Sequence, residues 1–127
     1  MAVGRGSVSK AMALAWILGC ILLLHCKIAE SAVYTVGGNN GWSFSAASWP
    51  KGKTFKAGDV LVFKYNPSVH DVVPVNGAAY KGCRAPGGAR AYKSGNDRIT
   101  LARGRNFFIC SNAGHCQSGM KVAVTAT

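Results

Sequence analysis

The chain has 127 residues, enough for one domain and not for two. Lys and Arg number 15 against 4 Asp and Glu, a formal net charge of +11, which points to acidic partners.

The first segment reads as an export signal. Arg5 and Lys10 precede a 14-residue apolar run from Ala11 to Leu24, and Ala29-Glu30-Ser31 then places small residues at positions −3 and −1 of a cut before Ala32. This pattern predicts a secretory signal peptide over residues 1–31. A spanning helix needs about 20 apolar residues, so a membrane anchor is not expected. On that reading Trp16, Cys20, His25 and Cys26 play no part in the folded protein.

The remaining domain, residues 32–127, has 96 residues and enough chain for one small core. Setting aside Arg5, Lys10, Lys27 and Glu30 leaves 12 basic against 3 acidic side chains, a formal charge of +9. An acidic redox protein or an anionic cell-wall polysaccharide would be attracted to such a surface. Nucleic acid is not expected, because an exported chain seldom meets it.

Taken in order, the domain reads as all-β. A first strand is predicted over Ala32 to Val36, ending at the turn-forming cluster Gly37-Gly38-Asn39-Asn40-Gly41. Trp42, Phe44 and Trp49 follow and are expected to pack one end of the core. Val60-Leu61-Val62-Phe63-Lys64-Tyr65 alternates as a strand, with Leu61, Phe63 and Tyr65 on one face. Past His70, Val72-Val73-Pro74-Val75 continues as a strand that Pro74 confines to an edge or a bulge, since proline donates nothing to a ladder.

Residues 77–96 are dominated by Gly, Ala, Pro and basic side chains, with one helical turn expected near Ala78 to Lys81. Arg98 to Leu101 and Asn106 to Cys110 are predicted to form a hairpin about Ala102-Arg103-Gly104. A last strand begins at Met120, with Met120, Val122 and Val124 on one face. Short strands at this spacing predict a Greek-key sandwich or barrel with one or two short helical turns.

The chemistry concentrates in Cys110-Ser-Asn-Ala-Gly-His115-Cys116-Gln-Ser-Gly-Met120. A thiolate, an imidazole and a thioether at i, i+5 and i+10 converge on one ion if the chain loops around it, and the Gly, Ser and Asn between them permit such turns. His70 supplies a second imidazole. Two imidazoles, one thiolate and a weak distant thioether form the ligand set of blue-copper electron-transfer sites. Zinc would not call for Met120, and a copper oxidase would need further copper centres.

Cysteine counting agrees. Residues 32–127 keep Cys83, Cys110 and Cys116, an odd number in an oxidising compartment, so one thiol is left over. Metal ligation gives it a reason to stay unpaired. Three pairings are open. Cys83 with Cys116 is preferred, because Cys110 has the histidine and the methionine spaced behind it. The rival pairing, Cys83 with Cys110, leaves Cys116 beside His115, and adjacent residues of an extended chain point apart.

These segments resemble the phytocyanins of the plantacyanin (plant basic blue protein) type, a branch of the cupredoxins. The likeness is carried by Ala32-Val-Tyr-Thr-Val-Gly-Gly, Trp49-Pro-Lys-Gly-Lys-Thr-Phe, the stretch from Ala57 to Pro67 and the stretch from Phe108 to Met120. It implies a seven- or eight-stranded Greek-key sandwich holding one type 1 copper at His70, Cys110, His115 and Met120, with a Cys83–Cys116 bridge. It also implies a monomeric one-electron carrier rather than an enzyme, secreted to the extracellular space or cell wall. A signalling or matrix-binding role, with the copper domain as scaffold, is the alternative. Two departures stand out: stellacyanin-like members carry Gln where this chain has Met120, and Asp71 follows His70 where blue copper sites often have Asn. Neither a lipid-anchor signal nor an Asn-x-Ser/Thr glycosylation acceptor is found in residues 32–127.

Overall fold

Among the described residues six strands divide evenly between two sheets. The computed structural model describes residues 30–127, so the expected signal peptide, but for Glu30 and Ser31, lies outside the described residues. The strands are β1 (Val33–Thr35), β2 (Val60–Lys64), β3 (Val73–Val75), β4 (Asn96–Thr100), β5 (Gly104–Ile109) and β6 (Lys121–Ala126). The first sheet has the order β1-β2-β4 and the second β3-β5-β6. Single turns of 3-10 helix at Gly38–Asn40 and Ala46–Ser48, and a short helix α1 (Gly77–Gly82), complete the regular structure. Asn76 caps α1, its Oδ1 accepting the Ala79 N–H at 2.9 Å.

Alternation on the strands builds the core. Leu61 and Phe63 of β2 and Phe108, Val122 and Val124 of β5 and β6 are buried together with Val36, Trp42 and Phe55. Phe63 packs against Trp42 and, across the gap between the sheets, against Phe108, both with ring centroids 5.1 Å apart. The opposite face of the second sheet is covered by α1 and its following loop, where Val73, Ile109 and Cys116 form a smaller cluster with Tyr80 and Cys83. Pro74 lies on β3, which pairs only with β5 and is therefore an edge strand, as the missing N–H requires.

Two expectations need correcting. The predicted hairpin does not form: β4 pairs antiparallel with β2, and β5 pairs with β3 and β6, so the turn at Ala102 and Arg103 carries the chain from one sheet to the other. Buried Leu101 and the Asn106 side chain, which accepts from the Ala102 N–H at 3.0 Å and donates to the Ala102 carbonyl at 2.8 Å, fix that crossing. The strand count is also six among the described residues rather than seven or eight. Phe55 and Tyr92 make only isolated bridges, to Ala126 and Val72. The Gly- and Pro-rich stretch around Tyr92 holds its chain beside the sheet for too short a run to become a ladder.

Within residues 32–127 the acidic residues are all internal. Asp59, Asp71 and Asp97, the only carboxylate side chains between residues 32 and 127, are 3%, 4% and 6% exposed. The basic side chains are exposed, except for half-buried Lys121. The exterior of residues 32–127 therefore carries side-chain charge of one sign.

Candidate metal centre

Three segments meet at one end of the sandwich. After β2 the chain winds through Asn66-Pro67-Ser68, where Asn66 Oδ1 accepts the Ser68 N–H at 3.0 Å and the Asn66 carbonyl accepts the His70 N–H at 3.1 Å. This turn presents His70. Cys110 follows the last residue of β5, is 1% exposed, and is the free cysteine among the described residues. The intervening loop closes on itself, because the Cys110 N–H donates to the Met120 carbonyl and the Met120 N–H to the His115 carbonyl, both at 3.0 Å. His115 is thus held above Cys110, and Met120 is fully buried in the same core cluster.

Gly119 makes this closure possible. Its φ is +108°, and a Cβ there would lie 2.3 Å from the Phe44 carbonyl oxygen, so a side chain cannot be accommodated. The turn brings Phe44 over the site. Its ring meets those of His70 and His115 edge-on, with centroids 5.9 and 5.2 Å away, and it is 47% exposed. Phe44 is therefore a lid on the histidines, whereas the sequence reading assigned it to the core.

The donor atoms converge. His70 Nδ1 and His115 Nδ1 are 3.1 Å apart, and the Cys110 Sγ lies 3.5 Å from His115 Nδ1 and 3.9 Å from His70 Nδ1. Each gap is smaller than the sum of two metal–ligand bonds of about 2.0–2.3 Å, so a single ion reaches all three. Electrostatics points the same way. Burial lowers the His70 pKa, assisted by the charge of His115 and opposed by Asp71. Burial also raises the Cys110 thiol above its ordinary value, opposed by backbone hydrogen bonds from Asp71 and Asn112. An imidazole at His70 that burial keeps from protonating and a buried sulfur whose proton a metal cation can displace belong to a ligand set for a soft or borderline metal. Together with Met120 the set fits a type 1 copper site.

A surrounding layer holds these ligands, most of it unmarked by any motif in the sequence. The Asp71 carboxylate accepts the Ser111 N–H at 2.7 Å and the Ser111 hydroxyl, and the Asp71 carbonyl accepts the Trp42 indole N–H at 2.8 Å. The Asn112 amide donates to the Val69 carbonyl. The residues next to His70 are thus tied to those next to Cys110. An acid beside a ligand in a domain with only three was the available signal for Asp71; nothing comparable marked Asn112 or Phe44. On the far side, Cys83 and Cys116 form the disulfide, with Cα atoms 5.6 Å apart. Cys83 takes the left-handed conformation that ends α1, with φ 51°, and so turns its sulfur towards the metal loop. The rival pairing through Cys110 is ruled out.

Residues 41–120 match the Plastocyanin-like domain. The chain belongs to the plastocyanin-like family, in its basic blue (plantacyanin) branch. Among its relatives, chemocyanin from Lilium longiflorum is 59% identical over 126 residues, covering 99% of each chain. The solved structure of cucumber basic protein, a blue copper protein, is 57% identical with a TM-score of 0.74, covering 76% of this chain and all of that one. Spinach plantacyanin is 56% identical with a TM-score of 0.67 over the same shares. These family members share the cupredoxin fold, here as an open sandwich and not a closed barrel.

Proposed function

We propose that this chain is a secreted one-electron carrier that holds a single type 1 copper through His70, Cys110, His115 and Met120. The observation that carries the reading is the convergence of the two Nδ1 atoms and the Cys110 sulfur within 4.8 Å of one another, on segments from separate parts of the sandwich. Copper, when bound, supplies the Cu(II)/Cu(I) couple. The chain's own residues keep the donors fixed between the two states: the loop hydrogen bonds to Met120 and His115, the Asp71 link to Ser111 and the Asn112 link to Val69 each resist a shift of one ligand against the others. A site that does not rearrange exchanges an electron with little cost. His115, half-buried beside exposed Ala113 and Gly114, is the route by which the electron leaves.

The carrier reading, with no enzyme activity, is supported by the ligand count. Two imidazoles, a thiolate and a buried thioether leave no position assigned to a substrate. Among the described residues this is also the one cluster of potential His, Cys or carboxylate ligands, where an oxidase needs several centres. Export, with residues 1–31 removed and 32–127 as the functional domain, is supported by the signal pattern and by the Cys83–Cys116 bridge. Among the described residues no helix is long and apolar enough to cross a membrane.

The purified, oxidised protein should contain one copper per chain and absorb strongly in the visible, and Cys110→Ser should abolish the colour while the protein stays folded. A colourless oxidised protein supplied with copper would overturn the reading. A second role, as a matrix-binding or signalling scaffold, is favoured by the all-basic exterior. If Cys110→Ser keeps full biological activity, that role and not electron transfer is the one in use.

A further inference from the structure

The carboxylate of Asp59 is one of the most buried charges in the domain, yet both its partners are neutral main-chain groups. Its Oδ1 accepts the Ala32 N–H at 2.9 Å and its Oδ2 accepts the Lys56 N–H at 2.8 Å. No cationic side chain is among these partners. A buried carboxylate held only by amides keeps much of its desolvation cost. The position of one donor suggests what removes it. Ala32 is the residue before which Ala29 and Ser31 mark a cleavage site, and its nitrogen is the atom that points at Asp59.

We infer that hydrolysis of the Ser31–Ala32 bond creates a partly buried ion pair between the new α-ammonium of Ala32 and Asp59, so that removal of the leader completes the fold. The inference rests on the proposed export reading. Water adds across the peptide bond under an endopeptidase that accepts small residues at −3 and −1; Ser31 keeps the new carboxylate and Ala32 the amine, which takes up a proton at neutral pH. One neutral N–H becomes a cationic group with three donors at an unchanged place. A cut one residue later would remove this nitrogen, and a cut one residue earlier would leave it an amide.

The gain reaches beyond one pair because Asp59 stands where three strands meet. The Val60 N–H donates to the Ala32 carbonyl at 2.9 Å, the Leu101 N–H to the Asp59 carbonyl at 2.8 Å, and the Gly58 N–H to the Leu101 carbonyl at 2.9 Å. The starts of β1 and β2 and the end of β4 are therefore tied at this residue. β1 is an edge strand of its sheet and pairs with β2 alone. A counter-charge at Ala32, the residue before it, fastens a three-residue strand at the rim of the sandwich.

The full chain, expressed in a secreting host, should be recovered with Ala32 as its first residue by intact mass; another first residue would overturn both the processing site and the ion pair. A chain with Gly-Gln inserted between Ser31 and Ala32, which leaves no small residue at −1 of a cut before Ala32, should be secreted with its amine displaced, and its folding equilibrium constant should fall about tenfold, the equivalent of one pKa unit of charge interaction. In an Asp59→Asn background the same insertion should change stability by less than twofold. Should Asp59→Asn not fold, the wild-type α-amino group is followed by NMR: it should titrate above the ordinary α-amino range of about 7.7–8.0. Equal stability with and without the insertion, or an ordinary α-amino titration, would overturn the ion pair while leaving copper binding untouched.

Discussion

The carboxylate of Asp71 accepts the backbone N–H of Ser111 at 2.7 Å, joining the residue after one histidine ligand to the residue after the cysteine ligand. Forty positions of sequence separate them. Asp71→Ala should cost about 1 kcal/mol of stability and speed copper loss to a chelator. Asp71→Asn, which keeps an acceptor at the same place, should stay close to the parent in both. Urea unfolding and the decay of visible absorption give the comparison.

Phe44 lies over the edges of both imidazoles while remaining half exposed. Phe44→Ala should therefore cost no more than about 1 kcal/mol but raise the rate of copper extraction severalfold. An extraction rate equal to that of the parent would show that the ring does not cover the site.

Met120 is expected to set the reduction potential. Met120→Gln should retain copper and shift the potential downwards, because an oxygen donor stabilises Cu(II) better than a thioether does. Voltammetry of the two proteins decides it. An unchanged potential would reduce Met120 to a core residue at the head of β6.

The Cys83–Cys116 bridge spans 33 positions, and loop-closure entropy over that length is worth roughly 3–4 kcal/mol. Replacing both cysteines with Ala should lower the unfolding free energy by about that amount. Since Cys116 adjoins His115, copper affinity should fall as well, measurable by competition with a chelator of known strength.

Tyr65 provides a pH signature away from the metal. Burial, with help from the neighbouring Asp97, raises its phenol from 10.0 to about 12. A raised acid favours the neutral form in the fold, so its contribution is complete below pH 10 and is lost as pH climbs from 10 towards 12. Alkaline unfolding should be less steep over that interval in Tyr65→Phe, and the ultraviolet titration of the parent should show a phenol ionising at about pH 12 that is missing from Tyr65→Phe.

How much of this was legible in the sequence depends on the kind of interaction. The metal ligands were, because a thiolate, imidazoles and a thioether at such spacing have few other uses, and the odd cysteine needed an explanation. Strand β6 and the Pro74 edge were also legible, since alternation and a missing donor are local properties. The crossing at Ala102 and Arg103 was not: two alternating runs separated by a Gly turn look alike whether the second strand returns to the same sheet or passes to the other. What decides it is the burial of Leu101 and the bonding of Asn106, which are tertiary facts. Phe44 was misread for a similar reason, because an aromatic between two tryptophans carries no mark of which side of the chain meets solvent.

The inward placement of Asp59, Asp71 and Asp97 has a colloidal consequence. Two copies approaching in any orientation present side chains of like sign, so self-association is opposed, most strongly at separations within the Debye length of about 8 Å at physiological salt. A negatively charged surface is attracted to such an exterior, and dilution of the surrounding electrolyte strengthens that attraction while driving the copies further apart.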